Sequence, residues 1–152
     1  MLGPMPKLDL SSVQEVVGSR YPSPHDVPCR GRRYQRLAAA GGLAHLGVTM
    51  VRLPPGAWSS QRHWHALEDE FLYVVSGEVL VASDAGEERA SGGDCYAWPA
   101  GVRDGHCVKN IGTTEAVLLA MSSKEALDHG EYPDLDLKFT PGGYQHKDGT
   151  PY

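Results

Sequence analysis

Signals for export or for a membrane are missing from this 152-residue chain. It contains no run of about 18 apolar residues, so no transmembrane helix is expected. Its opening, MLGPMPKLDLSS, lacks the apolar stretch of a secretory leader. Cysteine is scarce and odd in number, at 3, which argues against a disulfide scaffold and for a reducing compartment. A cytoplasmic protein is the expectation. A basic surplus is missing too. With 14 Lys and Arg against 19 Asp and Glu, the net charge of −5 excludes a broad phosphate-binding face for nucleic acid. The only basic cluster, CRGRRYQR ending at Arg36, reads as an outer strand or arm whose arginines pair with carboxylates or with a second subunit. No internal repeat of about 20 to 50 residues appears, which excludes solenoids and propellers. No long helical period competes with the short apolar runs described below.

What is present is a set of metal-binding residue types at a telling spacing. His63 and His65 stand two apart in HWH, Glu70 heads the apolar run FLYVV, and His106 lies in DGHCVKN. Residues two apart on a strand point to one face, so both imidazoles of His63 and His65 can reach a single point. A carboxylate from the next strand and a third imidazole from a distant one would complete a mixed nitrogen and oxygen site. Such a set suits Fe, Mn, Ni, Zn or Cu rather than Ca. Among three adjacent acids, Glu70 is preferred over Glu68 and Asp69, because it begins the apolar strand directly.

These residues resemble the cupin superfamily. Its first motif, G(x)5HxH(x)3-4E(x)6G, is matched by Gly56, His63, His65, Glu70 and Gly77, with one extra residue before His63. Its second, G(x)5PxG(x)2H(x)3N, is matched by Gly93, Pro99, Gly101, His106 and Asn110, with two extra residues before His106. The resemblance implies an all-β double-stranded β-helix, a jelly-roll barrel, holding one divalent metal ion per chain, of Fe, Mn, Ni or Zn type, on His63, His65, Glu70 and His106. Relatives of this fold that act as transcription factors carry a helix-turn-helix domain. None is evident here.

The apolar runs agree with a barrel. GVTMVRL, FLYVV, EVLVAS, CYAW, GHCVK and AVLLAM each read as a strand, punctuated by PPG, SGE, DAGEE, SGGD, PAG and NIG, where Gly and Pro favour turns. The expected organisation is an N-terminal arm over residues 1–33, the barrel over 34–123 and an irregular C-terminal tail over 124–152 packed on it. Within the arm, Ser12 and Glu15 fit a capping box, so VQEVV is expected to make one or two helical turns. In the resembling superfamily such arms often add to a partner's sheet, so a homodimer is expected.

Alternation predicts that Leu72 and Val74 share the face of Glu70, while Phe71, Tyr73 and Val75 face away, Tyr73 packing between layers. Leu53, Leu72, Val74, Val79, Val81, Val117 and Leu119 are the expected core. Trp58, Trp64 and Trp98 should be core or interface residues, and Cys95 and Cys107 buried inert thiols. Arg52 is a candidate for holding a substrate carboxylate. Arg62 should alternate away from His63. His146 is of interest if the tail folds over the site mouth. Four protein ligands would leave two open positions on an octahedral ion, with Glu70 also the candidate catalytic residue. The function expected is therefore that of a metalloenzyme acting on a small oxygen-rich molecule, of dioxygenase, isomerase or lyase type. The alternative is a non-catalytic binding or sensor protein whose metal is structural.

Overall fold

The computed structural model describes residues 6–152. In chain order its strands are β1 (Glu15–Val17), β2 (Arg33–Arg36), β3 (Leu46–Leu53), β4 (Trp64–His65), β5 (Glu70–Ser76), β6 (Glu78–Ser83), β7 (Gly86–Ser91), β8 (Cys95–Trp98), β9 (Cys107–Lys109), β10 (Ala116–Ser123), β11 (Gly130–Tyr132), β12 (Leu137–Thr140) and β13 (Gly143–Gln145). One short helix, α1 (Leu37–Ala40), follows β2. No helix among the described residues is long and apolar enough to cross a membrane.

All pairings are antiparallel. A six-stranded sheet runs β1-β2-β3-β10-β5-β8, facing a four-stranded sheet β13-β12-β11-β4 and a three-stranded sheet β7-β6-β9. The two smaller sheets are stitched together by an isolated bridge between His63 and His106. His63 N–H donates to the His106 carbonyl at 3.2 Å and His106 N–H to the His63 carbonyl at 2.9 Å. Two candidate ligands thus stand at the seam of the second layer, opposite Glu70 on the first.

Between the layers lies the core. Leu53, Val74 and Leu118 have no exposed surface, and Leu72, Val79, Val81, Val108 and Ala116 are buried around them. Leu72 and Val74 alternate with the outward Phe71, Tyr73 and Val75, as period-two patterning requires. The residues behind this core are held by fixed turns. Gly77 links β5 to β6 at φ +87, and a Cβ there would sit 2.8 Å from the Ala116 backbone. Asn110, fully buried, donates to the carbonyls of Leu53 (2.7 Å) and Thr114 (2.8 Å) and accepts from Gly112 N–H (2.9 Å). The motif asparagine is therefore a loop staple.

Several expectations are corrected. In β10 the buried residues are Ala116 and Leu118, with Val117 and Leu119 on the opposite, partly exposed face. AVLLAM is apolar on both faces, so its phase is not readable from alternation. Tyr73 is 37% exposed on the outer face rather than packed between layers. Cys95 is exposed, while Cys107 is buried as expected. VQEVV makes no helix. Glu15–Val17 pairs with β2 in the main sheet, and the nearest helical turn is a 3-10 segment over Leu10–Ser12 capped by Asp9. Gly86–Ser91, with three charges in six residues, had no apolar signature and yet forms β7 on the edge beside β6. Charged side chains are a common guard on such edges. In the tail, β11 pairs with β4, where a Cβ on Gly130 would fall 1.9 Å from the Trp64 carbonyl oxygen. Only glycine allows that approach.

Candidate metal centre

Each imidazole of the cluster is fixed by its outer nitrogen. His63 Nδ1 donates to the Gln61 carbonyl at 2.9 Å, and His106 Nδ1 donates to the Asp104 carbonyl at 2.9 Å. His65 Nδ1 donates to Asp128 Oδ2 at 2.5 Å. With the proton on Nδ1, each ring turns its Nε2 lone pair inward. All three inner nitrogens meet one carboxylate. Glu70 Oε1 lies 3.4 Å from His65 Nε2 and 3.7 Å from His63 Nε2, and Glu70 Oε2 lies 2.5 Å from His106 Nε2. Rotation of the His106 ring is limited further by Trp98, which stacks on it at 3.8 Å between centroids and 8° between planes.

Three lone pairs and an acceptor-only carboxylate pointing at one another need a cation among them. Protons on the imidazoles are one answer. Burial would push Glu70 up, but hydrogen bonds from His106, His63 and His65 outweigh it and hold the carboxyl well below the usual range. His63 is pushed down by burial against the opposing pull of Glu70. His65 feels the same desolvation, but the hydrogen bonds to Glu70 and Asp128 overcome it and raise it to about 9. The other answer is a divalent ion. The donor set of three imidazole nitrogens and one carboxylate fits such an ion, since donors about 2.0–2.2 Å from a metal lie roughly 3–3.5 Å from one another. His63, Glu70 and His106 could hold one together, with His65 facing the same carboxylate.

Asp128 was not found by sequence reasoning. It is buried, lies 63 residues from His65, and accepts both the His65 Nδ1 proton and the Leu67 N–H at 2.8 Å. No spacing rule links positions so far apart. His65, Glu68 and Asp128 also approach one another closely enough to suggest a second site. However, Glu68 is engaged by Glu125 N–H at 3.0 Å and Asp128 by Leu67, so this group reads as the support behind His65. Asp69 accepts Ala100 N–H at 2.8 Å and stays clear of the cluster.

The cluster opens into a cavity of about 700 Å³. Leu72, Val108 and Leu118 form an apolar wall, and Trp98, Ser59, Ser60, Thr49 and Ser122 also line it. Among the described residues Glu70 is the only carboxylate in the lining. Arg52 does not line this cavity. It pairs in register with Arg33 and Val117 on the outward row and approaches Glu115 at 3.6 Å. Arg62 turns away from His63 as expected, clamping Asp134 at 2.9 Å, Asp84 and the Gly105 carbonyl. His146 lies in the tail beside Asp136 and Tyr152, outside the cavity lining.

Comparison with known proteins follows from this geometry. Residues 49–122 match the family described as Cupin domain. A solved sugar phosphate isomerase from a cupin superfamily, of Silicibacter pomeroyi, is 40% identical, with 97% of this chain and 96% of that chain covered and a TM-score of 0.91. A putative sugar phosphate isomerase of Acidithiobacillus ferrooxidans is 26% identical over 76% of this chain and 74% of that one, at a TM-score of 0.70. The polyketide cyclase RemF of Streptomyces resistomycificus shares the fold, at 19% identity over 80% of each chain and a TM-score of 0.62. No curated protein matches the sequence. The chain belongs to the cupin superfamily.

Proposed function

We propose that this protein is a metal-dependent isomerase that interconverts the aldose and ketose forms of a small phosphorylated sugar. One observation carries the reading: three imidazoles with anchored Nδ1 atoms turn their Nε2 atoms onto the single carboxylate of a cavity large enough for a small sugar. The relative from Silicibacter pomeroyi, similar over nearly its whole length, supports the choice of isomerisation over oxygen chemistry or lysis.

His63, His65, Glu70 and His106 would hold the ion. A bound divalent ion supplies Lewis acidity there, polarising a carbonyl and a neighbouring hydroxyl. Isomerisation then needs a proton moved between adjacent carbons, with no external oxidant or reductant. Glu70, the only carboxylate lining the cavity among the described residues, is the base. It takes the proton from the carbon bearing the hydroxyl as the electron pair moves toward the carbonyl. Returning that proton to the former carbonyl carbon, as the hydroxyl proton passes to the former carbonyl oxygen, completes the exchange. Leu72, Val108 and Leu118 keep bulk water from the transfer, and Trp98 fixes the His106 ring.

The test is an exchange experiment in D2O. Protein loaded in turn with Mn, Fe(II), Ni and Zn is incubated with a panel of aldopentose and aldohexose phosphates and followed by proton NMR. Deuterium entering at C1 of the ketose as it forms is expected, and Glu70→Gln should abolish both conversion and labelling while keeping part of the metal. Absence of conversion and exchange across the whole panel would overturn the reading.

A further inference from the structure

The basic cluster of the sequence divides in two on folding. Strand alternation sends Arg33 outward, where it pairs with Glu15 and Glu115, and Arg30 pairs with Asp26. Tyr34 and Arg36 share the other face of β2, Arg32 stands just before the strand, and all three line the cavity. Both guanidinium groups lie over the Tyr34 ring, Arg32 at 4.7 Å and Arg36 at 5.6 Å from its centroid. Among the described residues neither pairs with a carboxylate. Arg32 donates from Nε to the Gly18 carbonyl at 2.9 Å and from Nη1 to the Ser59 carbonyl, which leaves Nη2. Arg36 is exposed, with its guanidinium fork uncommitted.

A third cation lines the same cavity just past the end of β10. Lys124 lines the cavity, and its stem crosses Gly47, where a Cβ would come within 2.8 Å of Lys124 Cε and 3.2 Å of Nζ; its ammonium, half exposed, has one distant carboxylate neighbour, Glu68 Oε2 at 3.9 Å. The register relates these groups. Arg36 pairs with Thr49, Thr49 with Ala120 and Ala120 with Leu72, while Gly47, Ser122 and Glu70 form the adjacent row. Arg36 and the Lys124 ammonium over Gly47 are therefore one strand and one row apart. From Arg36 to Glu70 is three strand steps and one row, about 16 Å of backbone at roughly 4.8 Å per step and 3.3 Å per residue. Both side chains reach inward and leave a gap that a short polyol chain can span. In a protein of net charge −5, this cavity has three cations and one carboxylate in its lining.

We propose that Arg36, Lys124 and Arg32 form a phosphate subsite at the cavity mouth, holding the phosphate monoester of a short-chain sugar whose carbonyl end reaches the histidine cluster. The subsite rests on the isomerase reading for its substrate but not for its affinity for phosphate. The Arg36 fork suits two phosphate oxygens and the Lys124 ammonium a third, and charge-assisted bonds of this kind are the strong ones.

The experiment titrates the metal-loaded full chain with inorganic phosphate by calorimetry at low ionic strength, then with ribose and ribose 5-phosphate. Phosphate should bind and compete with ribose 5-phosphate. Arg36→Gln and Lys124→Gln should each weaken both roughly tenfold or more, and leave any binding of ribose unchanged. Unweakened phosphate binding in both variants, or none in the wild type, would overturn the subsite. The two readings fail separately. Phosphate binding lost in both variants of a protein that isomerises no phosphorylated sugar keeps the subsite and removes the isomerase. Isomerisation at unchanged KM in Arg36→Gln keeps the isomerase and removes the subsite.

Discussion

Two clusters in this fold set imidazole beside carboxylate, and they differ in what stands behind them. In the tail, His146 Nδ1 meets Asp136 Oδ2 at 2.9 Å, and Tyr152 stacks on the His146 ring at 3.9 Å. Tyr152 and Asp136 are exposed, and a single ring faces the carboxylate. At the Glu70 cluster three rings converge, each tied by its outer nitrogen, with Leu72, Val108 and Leu118 packed alongside. Taken pairwise, the contacts are alike. The second bond of every ring fixes direction, and the dry wall strengthens whatever charge sits at the point of convergence. A histidine and a carboxylate in contact are common; fixed convergence against a core is what makes a site.

The largest expected effect comes from breaking the core behind that wall. Val74 is fully buried in register with Leu118, whereas its neighbour Val75 is 44% exposed. Val74→Asp would bury an unpaired charge and should cost about 4 kcal/mol or more, enough to unfold the chain. Val75→Asp should stay within about 1 kcal/mol. Urea denaturation followed by circular dichroism compares the pair, and a wild-type midpoint for Val74→Asp would contradict the core described here.

Next comes the loss of a ligand. His106→Ala should empty most of the metal from the purified protein, and His146→Ala should leave it at one ion per chain. Elemental analysis decides between them. Full occupancy in the His106 variant would remove the second cupin motif from the centre.

The contrast also explains what the sequence could reveal. His63 and His65 were legible because strand geometry forces residues two apart onto one face, and Glu70 because it begins an apolar run. EVLVAS and CYAW coincide with β6 and β8 for the same reason of composition. Asp128 was not legible, since its tie to His65 is made only after β11 pairs with β4. The inward turn of Arg32 and Arg36 follows from alternation, but which face of β2 meets a cavity depends on the sheets packed against it. The tail strands β11 to β13 carry no clear alternation, and their place is set by contacts such as Gly130 against Trp64.

A milder break acts on the support and not on the ligand. Asp128→Asn can still accept from His65 Nδ1 but lacks the charge, so metal affinity should fall by roughly 10–100-fold. Competition with a chromophoric chelator measures this. Asp136→Asn, the matched change in the tail, should leave the affinity where it was. An equal effect from the two would mean that burial and convergence do not distinguish the clusters.

The smallest effect sharpens the comparison from the tail side. The Asp136 carboxylate is held below its ordinary range first by the Lys147 N–H, which reaches Oδ1 at 2.8 Å, and then by His146. A depressed carboxylate contributes stability that is present above its unfolded value, about 3.9, and is lost as pH falls through the lower folded value. At pH 7 the Lys147 amide should therefore be protected from hydrogen exchange, and the protection factor should decline only below about pH 4. Asp136→Asn should lower it already at pH 7. The amide of Leu118, deep in the pairing of β10 with its neighbours, should not respond to either change. A Lys147 amide that exchanges freely at pH 7 in the wild type would show that the tail contact does not persist in solution.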